Sequence, residues 1–189
     1  KILFLYPNTA NKPAITLAIP IFAGIAKSLN WEMNYFDTTL YERRQDSIEE
    51  KEKTGGFLPV VRASQKVKRT NEQLVLDLQQ TIDVVKPDIL CITAMSCEFQ
   101  YLMTFFNKIQ ILEKTAVIIG GIHCIMRPEE VIDKGLFDLV CIGQGEAVFS
   151  EILRKKRNCE SLQDVEGTFF RNRKTGIIVK NKKRCLLAA

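Results

Sequence analysis

Metal-ligand spacings are missing from this chain. Its six cysteines, Cys91, Cys97, Cys124, Cys141, Cys159 and Cys185, fall wide apart, with no CxxC, no CxxxCxxC and no cysteine–histidine set. A structural zinc site or a cysteine-held iron–sulfur cluster needs such spacing, so no metal ligand is assigned. Long apolar runs are missing too, and no window approaches the roughly 20 uncharged apolar residues of a membrane span. The opening KILFLYPN lacks the layout of a secretory signal and reads as a first β-strand. Without a signal, a disulfide framework is not expected in a domain of this size, and a reducing cytoplasm is the expected setting. Phosphate-cradling loops are absent: no GxxxxGK[ST] occurs, and no GxGxxG follows the first strand. The two basic clusters, Arg154–Arg157 and Lys180–Arg184, carry no interleaved aromatics. The net charge of +5 therefore implies a solvated helix end and tail, with no nucleic-acid partner.

What is present is an apolar content of 46% in 189 residues, enough to fill the core of one α/β domain. The most informative segments are AVIIGGIHC (116–124) and LVCIGQGEAVF (139–149). Each is an apolar run that stops at glycine, as a strand buried on both faces does where it meets its loop. Open parallel sheets bind ligands at these carboxyl ends. Gly120, Gly121, Gly143 and Gly145, having no Cβ, would let a ligand lie against bare backbone.

The remaining elements follow from periodicity. Lys1–Pro7 reads as strand one, and PIFAGIAKSLN as a helix with the stripe Phe22, Ile25, Ala26 and Leu29. Trp31–Asp37 is strand two. Residues 41–70, charged and broken by Gly-Gly and Pro, read as an insertion: a short helix near 41–53, then a lid or passive loop packed through Phe57, Leu58, Val60 and Val61. Thr70 and Gln73 form a capping-box pattern before a helix with Leu74, Leu78, Ile82 and Val85 inside, stopped by Pro87. Strand three is Asp88–Thr93, and the next helix carries Phe99, Leu102, Phe106 and Ile109. Strand four is Ala116–Ile119, Arg127-Pro128-Glu129-Glu130 opens a helix, strand five is Leu139–Ile142, and a helix runs from about Glu146 to Lys156.

This alternation predicts a flavodoxin-like, Rossmann-type five-stranded parallel sheet of order 2-1-3-4-5 with helices on both faces. Its domain spans 1–157. Residues 158–189 hold a β-hairpin around Lys174-Thr175-Gly176 and a linker. A lone hairpin is marginal in water, so it is expected to lean on this domain or on a following one.

The strand-three end CITAMS, the strand-four end IIGGIHCIMRPEEVI and the strand-five end DLVCIGQGEAVFSEIL together resemble the N-terminal cobalamin (B12)-binding domain of class B radical SAM enzymes. The hairpin EGTFFRNRKTGIIVKN resembles the stretch linking that domain to the radical SAM barrel. The resemblance implies a slot for the nucleotide tail of cobalamin, bordered by Thr93, Ala94, Met95 and Ser96, passed by Gly120, Gly121, Ile122 and His123, and closed by Gly143, Gln144, Gly145 and Glu146. It implies methyl transfer or rearrangement at a carbon centre by the whole protein. SAM and a 4Fe-4S cluster would be held only by a radical SAM domain in cis, beyond residue 189. The DxHxxG loop of methionine-synthase-type and mutase-type domains is absent: YPNTANKPAIT after strand one holds no histidine. The lower face of cobalt would then be empty, water-bound or approached by Asn8, Asn11 or Lys12.

His123, the only histidine, reads as a loop residue bonded to backbone or to a corrin side chain rather than as a cobalt ligand. Asp37 reads as a strand-end carboxylate. Nothing visible would lower the thiol pKa of Cys97 or Cys124, so no catalytic residue is assigned. Two further readings stand beside the first. One is a degenerate domain that keeps the fold, binds no cobalamin and positions a substrate or partner. The other is an unrelated flavin binder, for which Thr9 and Thr16 are too sparse a phosphate loop.

Overall fold

The computed structural model of the protein describes residues 1–9, 16–41 and 69–184. Apart from Tyr41, the short helix expected near 41–53, with the apolar residues from Phe57 to Val61 and Asn11, Lys12 and Cys185, lies outside the described residues.

Among the described residues, seven strands form one sheet of order β2-β1-β3-β4-β5-β6-β7. The strands are β1 (Ile2–Tyr6), β2 (Met33–Asp37), β3 (Ile89–Thr93), β4 (Ala116–Gly120), β5 (Leu139–Cys141), β6 (Thr168–Arg171) and β7 (Ile178–Lys180). The first five run parallel, and β6 and β7 run antiparallel. The helices are α1 (Ala18–Ser28), α2 (Asn71–Val85), α3 (Ser96–Phe105), α4 (Ile122–Met126), α5 (Pro128–Asp133) and α6 (Gly145–Arg157). None of the described helices is long and apolar enough to cross a membrane.

The apolar runs become strands buried on both faces because each face has its own layer of helices. Successive side chains of a strand point to opposite sides. Leu3 and Leu5 of β1, with Leu90, Ile92, Val117, Ile119 and Val140, pack under α2, α3 and α5. Ile2, Phe4 and Tyr6, with Ile89, Cys91, Ile118 and Leu139, pack under α1 and α6. The edge strand β2 is only half-buried, which its sequence MNYFD reflects.

The expected five-strand parallel order is present, but the strand count needs correction: the hairpin extends the sheet to seven strands. Phe169 and Phe170 of β6 pair with Val140 and Leu139. An uncovered β5 edge would leave a row of unpaired backbone groups beside the core, and β6 removes it. The hairpin is also clasped at its turn. Arg173 Nε donates to Asp138 Oδ1 at 2.6 Å and Nη2 to Asp138 Oδ2 at 2.7 Å. The same Asp138 Oδ2 accepts the Val117 amide at 2.7 Å.

Local signals explain the helix ends. Thr70 Oγ1 accepts the Gln73 amide at 3.2 Å, but the Gln73 side chain donates forward to Asp77 instead of back, so the capping box is half made. Lys86 adopts φ 49° and Pro87 follows, ending α2. The basic clusters are absorbed within the fold. Arg157 donates to the carbonyls of Leu29 and Asn30 at the end of α1 and lies over Trp31 at 5.4 Å. Lys155 pairs with Asp164, Lys180 with Glu129, and Arg184 with Glu151.

The clasp generates a prediction. Arg173→Ala is expected to lower the unfolding free energy by about 1–2 kcal/mol, and Asp138→Ala by about 2–4 kcal/mol because it also orphans the Val117 amide. Urea unfolding of the two variants measures this, and equal losses would show that the amide link contributes nothing.

Candidate functional site

The parallel ladder places the ends of β3, β4 and β5 side by side. Thr93 stands opposite Gly120, and Ile119 opposite Val140. Two backbone bonds continue the contact beyond the strands: the Ala94 amide donates to the Gly120 carbonyl at 3.0 Å, and the His123 amide donates to the Ala94 carbonyl at 3.3 Å. Gly121, between them, has φ 105°, and a Cβ there would lie 2.5 Å from the Ala94 oxygen. Only glycine fits that position. The glycine is therefore required by the protein's own backbone.

The other glycines at this edge differ. A Cβ at Gly145 would meet the Phe22 ring at 2.8 Å, and that ring packs on Phe149 and Phe4. A Cβ at Gly120 would be in ordinary contact with Cys141, and one at Gly143 would meet nothing within 4 Å. The edge is closed over Gly121 and Gly145 and open over Gly143. Gln144 caps α6 through its backbone conformation, and Glu146 lies in the first turn, exposed.

His123 is buried, at 5% exposure, inside the short helix α4, where the sequence predicts a loop. Its ring stacks on Phe99 with centroids 4.3 Å apart. Its Nδ1 lies 3.1 Å from Ser96 Oγ, and Nε2 has no partner among the described residues. Burial holds the imidazole below its usual pKa, with Arg127 adding to the effect and Glu130 opposing it.

Glu98 is a site residue that sequence reasoning missed. It is 3% exposed at the start of α3, and its Oε2 accepts the Met95 amide at 2.7 Å. Burial pushes its carboxyl up, against the Met95 amide and the Tyr6 hydroxyl, which favour the anion. Tyr6, at the end of β1, is in turn pushed up to about 12, by burial first and the Glu98 charge next. The T-A-M-S-C-E run offered one signal: a Glu three residues after the cap position, the spacing of a reciprocal cap.

The ends of β1 and β2 are laced to each other. Asp37 Oδ1 accepts the Thr39 amide at 2.8 Å and hydroxyl at 2.6 Å, the local turn of a strand-end carboxylate. Asn8 is buried and donates to Thr39 Oγ1 at 2.6 Å. Cys124 is buried and pushed up to about 12 by burial, so it is no thiolate nucleophile. Cys97 is exposed, with Thr9 Oγ1 3.5 Å from its sulfur. Around this edge stand exposed apolar side chains that periodicity did not flag: Leu17, Leu40, Met95, Ile122 and Met126. Among the described residues no group of three or more His, Cys, Asp or Glu could hold a metal ion.

Two clefts lie at the opposite end of the sheet. One, of about 470 Å³, is lined by Trp31, Asp88, Lys114, Lys156, Cys159, Glu160 and Leu162. The other, of about 320 Å³, runs beside Asp138 and Arg173. Their charges are spent on one another, with Lys114 on Asp88 at 3.5 Å and Arg173 on Asp138. Neither gathers the polar groups of a ligand site.

Two outcomes are expected from this geometry. Gly121→Ala should cost about 2 kcal/mol or more, whereas Gly143→Ala should stay within about 0.5–1 kcal/mol; thermal unfolding compares them, and equal midpoints would contradict the close approach. The Glu98 value in the folded state lies above the unfolded one. Its contribution is therefore fully present below the unfolded carboxyl range and is lost as pH rises through the folded value. Relative to Glu98→Gln, the unfolding free energy should fall from acid to neutral pH, and a flat difference would remove the linkage.

No protein-family model matches the chain, and no curated relative matches it in sequence. Solved structures do match in fold. TsrM from Kitasatospora setae, a radical S-adenosylmethionine methyltransferase solved with tryptophan and a SAM analogue, aligns over 96% of this chain at 14% identity, with a TM-score of 0.66. The same enzyme with cobalamin and a [4Fe-4S] cluster aligns over 100% at 14% identity and a TM-score of 0.61. OxsB, a cobalamin-dependent S-adenosylmethionine radical enzyme with aqua-cobalamin and S-adenosylmethionine bound, aligns over 98% at 12% identity and a TM-score of 0.60. The chain spans 30% of TsrM and 22% of OxsB. At these identities the likeness establishes the shared Rossmann-like fold.

Proposed function

We propose that this chain is the cobalamin-binding module of a larger radical SAM enzyme. One observation carries the reading: the fold, hairpin included, coincides over nearly its whole length with part of enzymes solved with cobalamin, and the glycine-bearing strand ends that prompt the same assignment from sequence lie together at one sheet edge.

The residues fit such a cofactor where the edge is open. Gly143 presents bare backbone with free space above it, and Met95 and Ile122 expose apolar side chains where the chain leaves β3 and β4. Thr93, Ala94, Met95 and Ser96 would border the nucleotide tail. Gly120, Gly121, Ile122 and His123 would form the middle wall, and Gly143, Gln144, Gly145 and Glu146 the far one. His123, buried with its Nδ1 engaged by Ser96, is not presented to cobalt. Bound cobalamin would supply cobalt-centred chemistry, methyl transfer or carbon rearrangement. The radical SAM domain, with its SAM and 4Fe-4S cluster, would follow in cis, since the chain corresponds to less than a third of TsrM or OxsB. This chain's own part is to hold and orient the cofactor.

A second reading draws on the closed stretch of the same edge. Ala94 fills the space at Gly121 and Phe22 the space at Gly145, as a domain that keeps the fold without the cofactor would allow.

Titration with hydroxocobalamin, followed by visible absorption after gel filtration, separates the two. One equivalent retained is the expected result. Gly143→Phe should weaken retention by about tenfold or more while leaving the unfolding midpoint in place. A folded chain that retains none would favour the second reading.

A further inference from the structure

Ser96 and His123 form a pair that the proposed function leaves unexplained. Ser96 is exposed at the start of α3, and His123 is buried beneath it in α4. The 3.1 Å contact between Oγ and Nδ1 can run either way, because a neutral imidazole carries its one proton on either nitrogen.

The surroundings decide the direction. Nε2 is fully enclosed and faces no acceptor among the described residues. Placing the proton there would bury an N–H donor with nothing among the described residues to receive it, a rare arrangement in folded proteins. Placing it on Nδ1 makes the ring donate to Ser96 Oγ and leaves only an unused lone pair inside. The stack on Phe99 and the hydrogen bond from the His123 amide to the Ala94 carbonyl fix the ring where the contact with Ser96 forms. With its oxygen occupied as acceptor, the Ser96 hydroxyl must direct its own proton elsewhere. It has no other hydrogen-bond partner among the described residues, and Ser96 is exposed at the start of the helix that follows the carboxyl end of β3.

We infer that His123 is a positioning residue, whose Nδ1–H fixes the Ser96 hydroxyl as an outward hydrogen-bond donor to an acceptor atom of the ligand, such as an amide oxygen or an aromatic ring nitrogen. The identity of that ligand rests on the cobalamin reading; the direction of the Ser96–His123 bond does not.

The test has two parts. His123 is the sole histidine of the sequence, so the ring nitrogens of 15N-histidine-labelled protein report on it alone. A proton on Nδ1 and a bare Nε2 are expected without any ligand, and a proton on Nε2 overturns the inference. In hydroxocobalamin titrations Ser96→Ala should weaken binding by roughly tenfold, the effect of one hydrogen bond. His123→Phe should weaken it about as much, and the double variant no more than either, because both remove the same bond. His123→Asn, whose amide can replace the Nδ1 donor, should retain affinity within about twofold. Additive losses, or no loss in Ser96→Ala, overturn the inference. Should His123→Phe fail to fold, the nitrogen shifts and Ser96→Ala still decide it. If the wild-type chain takes up no cobalamin, the cofactor reading falls, and the nitrogen shifts still settle the Ser96–His123 bond.

Discussion

Where β3 and β4 end, two backbones run so close that a side-chain carbon at position 121 has no room. The bonds on either side, Ala94 to Gly120 and His123 to Ala94, hold this approach in register. Much of the candidate site depends on it. It brings the α3 start beside α4 and sets His123 on Phe99 and under Ser96, with Met95 at the cap of α3 and Ile122 at the start of α4 both exposed. A parallel sheet supplies the neighbourhood, but the ladder stops at Thr93 and Gly120. Beyond it, the missing Cβ of one residue keeps the two loops together.

The fold was legible in the sequence because its strands are buried on both faces, and continuous apolar runs such as AVII and LVC cannot be read as amphipathic helices of that length. The same property hid the hairpin's role. VEGTFF and GIIVK alternate like any exposed hairpin, and nothing local says that Phe169 and Phe170 face β5. Pairing partners far apart in sequence leave no periodicity of their own. α4 escaped for a related reason: five residues between a glycine and Arg127 are too short to show a helical stripe.

The candidate site was legible by position and less so by chemistry. Glycine at a strand end marks a turn from sequence alone, but whether the vacated space belongs to a ligand or to the protein's own atoms is a tertiary fact. It divides Gly143 from Gly121 and Gly145. Likewise, Glu98 and His123 are polar letters in an apolar context, and sequence offers no measure of how deeply each is enclosed. The likeness to TsrM and OxsB adds the shared fold over nearly the whole chain and leaves these side chains to be judged on their own contacts.

The ring of Phe22 has an implication for divergence. It occupies the volume that any larger residue at 145 would claim, and it does so while wedged between Phe4 and Phe149. Positions 22 and 145 are thus tied across more than a hundred residues of chain. A descendant that gains a methyl group at one must shed bulk at the other, so the two sites should drift as a pair, with alanine at 145 accompanied by a trimmed aliphatic residue at 22.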